Sequence, residues 1–311
     1  MAAKPSKKPP AGNKNDIKTS IILGLLMIVG VQALLLLNKD KQPAVKSFVS
    51  GSGLVPKLAP KPVEKERAVL PIEPVGPAAP VKKEPPGSAG RIAFIIDDWG
   101  YTTRNCKYLK EIKEPLAAAI LPNLPHTQDI AQCANSAGKD IMLHLPLEPY
   151  HNADRYPDNY LITTVMKPSQ VLKLLEDTLK KMPLVQGVNN HMGSKATENK
   201  LLMTLILKYF KKKGLFFVDS MTSAHHSVCG EVAAQVHLPF RQRDVFLDNI
   251  NTRAEIEKQI AVLAQKARRK GSAVAIGHDR ELTMRVIKEQ IPLLKDQGFE
   301  VVRIKDLLRT K

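Results

Sequence analysis

Residues 91–100 read RIAFIIDDWG. The apolar run Ile92–Ile96 is short and rich in β-branched side chains, the pattern of a strand buried on both faces of a parallel sheet. It ends on Asp97 and Asp98, at the strand terminus where α/β folds gather their chemistry. Two adjacent carboxylates repel unless a cation or a shared proton intervenes, so the pair predicts one metal ligand beside one base; a helix cap is the plainer use of an aspartate there.

The same texture continues downstream. Short apolar runs at residues 117–121, 140–143, 185–188, 215–218, 244–247, 273–276 and 300–304 alternate with amphipathic segments, the mark of successive βα units around a parallel sheet. Pro168 opens one helix, Thr197 is read as the cap of a second that ends at Gly214, and Thr252 with Glu255 forms a capping box before Gly271. Such units fit either an irregular (β/α) barrel or an open doubly wound sheet.

Polar residues recur directly after these strands. They are His144 followed by Glu148, then Asn189, Asn190 and His191, then Asp219, and late in the chain His278. A lone histidine in such a place is usually structural, and asparagines beside glycine often only make turns. Their convergence on neighbouring strand ends argues for a site. A mixed His and Asp set suits a divalent ion, zinc above all, with an open coordination position. His278, after a permissive glycine in AIGHD, is placed to give a proton to a leaving group. The pair His225 and His226 reads as a surface turn.

Upstream of Arg91 the sequence changes character. Residues 21–37, IILGLLMIVGVQALLLL, carry no charge and, with their flanks, match the thickness of a bilayer. Five lysines (Lys4, Lys7, Lys8, Lys14 and Lys18) precede them. The expectation is a cytoplasmic basic tail over 1–18 and an uncleaved signal anchor over 19–38, spanning a bacterial inner membrane once with the C-terminal domain periplasmic. Residues 38–90 hold ten prolines and no sustained apolar period, so 39–90 reads as a disordered, proline-rich spacer and 91–311 as the folded domain.

The formal charge of +17 raises nucleic acid as a partner. The charge is dispersed, however: residues 1–90 carry 14 Lys+Arg against 6 Asp+Glu, and the rest carry 33 against 24. Clusters such as Lys211–Lys213 and Arg268–Lys270 fall at predicted helix ends, where cations complement the dipole. Aromatic residues make up only 5% of the chain, too few for a base-stacking surface, so no nucleic-acid partner is expected. The three cysteines show no metal-knuckle spacing and an odd count, which implies no disulfide framework; Cys133 reads as a small buried hydrophobe.

Taken together, IAFIIDDWGY, IMLHLPLEP, GVNNHMGSKAT, LFFVDSMTS, RDVFLDN and AIGHD resemble the divergent polysaccharide deacetylases of bacteria over about residues 91–308. The resemblance implies an irregular, seven-stranded, deacetylase-like (β/α) barrel and a metal-dependent hydrolase that removes N- or O-acetyl groups from envelope polysaccharide or peptidoglycan glycans. In related NodB-type enzymes an Asp-Asp pair supplies base and metal ligand, which makes Asp97 the base and Asp98 a ligand here. Their His-xxx-His motif corresponds to His144 through Glu148, with glutamate in place of the second histidine. Either His191 or Glu148 then completes the metal set. His278 matches the late acid motif, and Glu148, Asn189, Asn190 and Asp219 are left to hold substrate, the last three with the alternative of supporting the metal ligands. The replaced histidine is equally the mark of a catalytically inactive glycan-binding or scaffold relative.

Overall fold

A computed structural model describes residues 89–151, 160–223 and 226–308. The expected basic tail and signal anchor, and all but the last two residues of the spacer, lie outside the described residues. Among the described residues, no helix is long and apolar enough to cross a membrane.

Nine strands form one sheet: β1 (Gly90–Trp99), β2 (Ala117–Ile120), β3 (Asp140–Leu147), β4 (Gly187–Met192), β5 (Phe216–Asp219), β6 (Phe240–Gln242), β7 (Val245–Phe246), β8 (Ser272–His278) and β9 (Phe299–Val301). Every pairing is parallel, in the order β6-β5-β4-β3-β2-β1-β8-β7, with β9 added to the start of β1. The outermost strands, β6 and β7, are separated by only Arg243 and Asp244. Arg243 donates its N–H to Asp219 O of β5 (3.0 Å), and the next residue, Asp244, donates to Val274 O of β8 (2.8 Å). Successive strand residues bond to opposite sides, so residues 240–246 act as one strand that pairs first with β5 and then with β8. The sheet therefore curls into an irregular α/β barrel with a seam at this change of partner. The three-residue β6 was not expected, because FRQ has no apolar alternation to read.

Among the described residues there are seven α-helices: α1 (Cys106–Glu111), α2 (Thr127–Ser136), α3 (Pro168–Lys181), α4 (Lys200–Lys212), α5 (Cys229–Val236), α6 (Arg253–Lys270) and α7 (Glu281–Asp296). Side-chain alternation separates two cores. Ile92, Phe94 and Ile96 of β1 join the large cluster that includes apolar faces of the helices, whereas Ala93 and Ile95 face inward with Ala117, Ala119, Met142, Phe216, Val218, Val274 and Ile276. Val302, Ile304 and Leu307, which follow β9, pack into the inner cluster and plug the barrel at the end where β1 begins. Space inside is tight: a Cβ on Gly187 would lie 2.2 Å from the Phe216 ring.

Pro168 opens α3 as expected, and Thr252 accepts from Glu255 N at the start of α6, which ends at left-handed Gly271. The reciprocal half of that capping box is not made, because the Glu255 carboxylate is taken by Lys258 and Gln259. Thr197 does not cap α4. Its hydroxyl donates to Gly193 O (2.8 Å) within a short 3-10 turn, and Asn199 caps the helix instead by accepting from Leu202 N.

The reading of the cysteines is corrected by a disulfide between Cys106 and Cys133, 27 residues apart, which ties α1 to α2. Spacing could not reveal it, because the packing of two helices brings the residues together. Cys229 is free and buried. Closing a loop of this size restricts the unfolded chain by about 3 kcal/mol. Reductant is therefore expected to lower the thermal unfolding midpoint by roughly 6–12 °C. An unchanged midpoint, with both thiols shown to be free by labelling, would refute a stabilising role.

Candidate metal centre and proton-transfer site

Alternation continues past the inner core to the strand ends and changes there from apolar to polar. After Ala93 and Ile95 the next inward residue of β1 is Asp97; after Met142 on β3 it is His144; after Gly187 on β4 come Asn189 and His191; after Val274 and Ile276 on β8 comes His278. Register sets them side by side, with Asp97 opposite His278 and His144 opposite Asn189. Strands β1, β3 and β4 run further than their apolar runs suggested because these terminal polar groups point into a shared site and not into the outer core.

Asp98, next to Asp97, would normally face the opposite way. It does not, because the register of β1 with β2 slips between Ile96 and Trp99, and Asp98 takes a left-handed φ of +65°. Aspartate tolerates that conformation better than most residues, and bulges of this kind re-aim side chains next to active sites. The bulge brings both carboxylates to one place.

Asp98 Oδ1 lies 3.0 Å from His191 Nδ1 and 3.3 Å from His144 Nε2, and these two nitrogens are 3.1 Å apart. Asp98 Oδ1 is buried without a well-formed hydrogen bond. One ligand atom from each of Asp98, His144 and His191 falls within 4.8 Å of the others, the spacing of a metal-binding set. Asn189, fully buried, fixes the orientation of one ligand. Its Nδ2 donates to Asp97 Oδ1 (2.8 Å) and lies 3.2 Å from Ser220 Oγ, which turns its Oδ1 toward His144 Nδ1 (2.9 Å). His144 thus donates from Nδ1 to the amide oxygen and directs Nε2 toward Asp98 and His191.

The four groups perturb one another strongly. Burial raises the Asp97 pKa, and the charge of Asp98 adds to that rise; His144, Asn189 and His278 only partly oppose them. Burial opposes ionisation of Asp98, but the close-set His144 and His191 rings hold it well below the ordinary carboxylate range. Burial pulls His144 down, yet the two aspartates hold it above its ordinary value. His191 is pushed below its ordinary value by burial, with the charge of His144 adding to the effect. Without a metal, the carboxylates recruit a proton onto His144; a divalent ion satisfies the same demand while using the same lone pairs. The residues fit one. Asn189→Leu is expected to weaken metal binding about 10–100-fold by releasing the His144 ring, as outer-sphere losses do. Competition with a chromophoric chelator checks this, and unchanged affinity would refute the orienting role.

His278 stands on the other side of Asp98, with its Nε2 3.8 Å from Asp98 Oδ2. Its Nδ1 donates to Asp248 Oδ1 (2.9 Å), and its backbone N–H donates to Asp248 Oδ2 (3.0 Å). Asp248 is fully buried and also accepts from the Thr283 hydroxyl (2.6 Å). Burial opposes its ionisation, but the hydrogen bond and charge of His278, with Thr283, keep it below the usual carboxylate range. His278 is lowered by burial and raised more strongly by Asp248, Asp98 and Asp97, for a net rise. Sequence reasoning missed Asp248. The signal was present: it directly follows the apolar run 244–247, the same rule that found the other strand-end residues.

Three of the expected residues do other work. Asn190 points away from the barrel interior; its Oδ1 accepts from Ser220 N (2.8 Å) and its Nδ2 donates to Met192 O (2.7 Å), which staples the β4 and β5 ends together. Asp219 also faces outward, accepting from Met221 N (2.8 Å) and the Ser227 hydroxyl (2.6 Å). Glu148 accepts from Lys195 Nζ (2.7 Å), Thr164 N (2.6 Å) and the Thr164 hydroxyl (2.7 Å). Its carboxylate is occupied away from the metal-binding set, and His191 completes that set.

A family model described as divergent polysaccharide deacetylase matches residues 94–308. The YibQ protein of Escherichia coli (strain K12), uncharacterized, is 30% identical over 206 residues, which make up 66% of this chain and 64% of that protein. The chain thus spans a little under two thirds of that relative. An uncharacterized protein of Haemophilus influenzae is 34% identical over 198 residues, 64% of this chain and 70% of its own length. In three dimensions, the crystal structure of an uncharacterized protein from Agrobacterium tumefaciens C58 superposes with a TM-score of 0.68 at 21% identity, covering 73% of this chain and 92% of that one. That likeness speaks for the fold. With the family match running from the middle of β1 to the residues after β9, the chain belongs to the divergent polysaccharide deacetylase family.

Proposed function

We propose that the domain is a metal-dependent deacetylase that hydrolyses N- or O-acetyl groups on envelope polysaccharide or peptidoglycan glycans. One observation carries the reading: a buried carboxylate, Asp97, and a carboxylate-backed imidazole, His278, flank the same Asp98–His144–His191 ligand set. Hydrolysis of an acyl group needs a base for water and an acid for the leaving group, held on either side of the acyl carbon. A divalent ion on the ligand set, for which zinc suits the mixed imidazole and carboxylate donors, supplies Lewis-acid polarisation of the acyl carbonyl and the attacking water.

Asp97 takes the proton from water. Burial raises its basicity toward neutral pH, and the Asn189 amide holds its Oδ1 so that the other oxygen faces the site. His278 delivers a proton from Nε2 to the departing amine or alkoxide, while Asp248 holds Nδ1 and stabilises the charged ring. The disulfide supports an oxidising compartment, in keeping with a periplasmic domain tethered by the N-terminal signal anchor.

The test is release of acetate from N-acetylated and O-acetylated oligosaccharides by the zinc-loaded chain, beside Asp97→Asn. Turnover is expected, falling about 10²–10⁴-fold in the variant. A metal-loaded chain that binds these sugars and releases no acetate would instead be a glycan-binding protein.

A further inference from the structure

The acid donor fixes where the sugar sits. His278 must reach the leaving nitrogen or oxygen, which belongs to the sugar, so the sugar occupies the His278 side of the ligand set and the acetyl methyl group lies away from it. This placement rests on the deacetylase reading. On that side the first neighbour is Phe246, whose ring centroid is 5.0 Å from that of His278. Beyond it, the Arg243 guanidinium lies over the Phe246 ring at 4.7 Å. Both residues also line a cavity of about 390 Å³ along β7, shared with Asp244, Glu255, Gln259 and Lys266 and walled by none of the metal-binding set.

Arg243 is anchored without being used up. Its Nε donates to Ser220 O (2.7 Å) and its Nη2 to Met221 O (3.2 Å), while Nη1 has no partner among the described residues. Both partners are neutral carbonyls, so neither of these hydrogen bonds pairs the guanidinium with an anion. The other cations nearby are engaged: Lys266 donates to Asp244 O (2.6 Å), Lys270 pairs with Asp244, and Arg280 donates to Asp248 O (2.7 Å). Asp219, Asp97 and Asp244 also lie within electrostatic reach of Arg243, so a dianion such as phosphate is repelled more strongly there than a singly charged group. A rigid guanidinium with free N–H groups is the side chain best suited to a carboxylate.

We infer that Arg243, clamped beyond Phe246 on the acid side of the site, selects a sugar that carries a carboxylate, so that the substrate is an acidic acetylated glycan.

Calorimetric titration of the zinc-loaded full chain with an N-acetylated, hexuronic-acid-containing disaccharide, and with its methyl ester, isolates the charge. The acid is expected to bind at least about ten-fold more tightly than the ester, the size of one charge-assisted hydrogen bond. In Arg243→Gln the two should bind equally, and Arg243→Lys should restore part of the preference; a purely structural arginine would not alter the ratio between the ligands. Equal binding of acid and ester by the unaltered chain overturns the inference and leaves deacetylation standing. Preferential binding of the acid without acetate release leaves the inference standing and overturns deacetylation. Failure of both sugars to bind overturns the inference.

Discussion

Changing Asp98 to Asn is expected to empty the metal centre. Asparagine is chosen because it accepts the left-handed backbone at this position almost as readily as aspartate, so the bulge survives while the charge is lost. The site then keeps two imidazoles and no anion among its ligands, which undoes the balance of donors around His144 and His191. Zinc affinity should fall by more than the roughly 100-fold that bounds outer-sphere effects. Elemental analysis should find about one ion per unaltered chain and none in the variant. Unfolding gives a second reading. Zinc at 100 times its dissociation constant should stabilise the unaltered chain by about 2.7 kcal/mol and leave the variant unmoved. Retention of a full equivalent of zinc by Asp98→Asn would sink the assignment of the ligand set.

Asp248→Asn should do the reverse, sparing the metal and disabling the acid. An amide can neither stabilise the imidazolium nor reliably fix its tautomer, so the turnover number should drop about 10²–10⁴-fold with zinc content intact. The pH profile carries the signature. Asp248 raises the His278 pKa, so its removal lowers that pKa, and the protonated donor is lost at lower pH. The basic limb of the rate profile therefore shifts toward acid. An unshifted profile, or an unchanged turnover number, would remove His278 from the role of acid.

Legibility followed the range of the forces involved. The eight apolar runs were readable because a parallel strand buried on both faces needs a continuous run of aliphatic side chains, and Asp97, His144, His191 and His278 were readable because each interrupts such a run at its end. Four features were not. The bulge at Asp98 depends on register with β2, which no residue of β1 encodes alone. The change of partner at Arg243 and Asp244 depends on two different neighbours. The disulfide depends on how α1 packs against α2. Thr197 and Asn199 compete to cap the same helix, and the tight turn from Gly193 decides between them by consuming the threonine hydroxyl. For Glu148 the spacing from His144 could not show that Lys195 and Thr164 bind its carboxylate, because both partners come from distant parts of the chain.

The seam between β6 and β7 makes the two halves of the site separable. Asp98, His144 and His191 hang from β1, β3 and β4, whereas Asp248 follows the strand that crosses from β5 to β8. One extra residue at Arg243–Asp244 would turn Asp248 to the opposite face and leave the His278 ring without its carboxylate, with His278 and every metal ligand still in register. The seam thus sets the support of the His278 ring independently of the geometry of the metal-binding set.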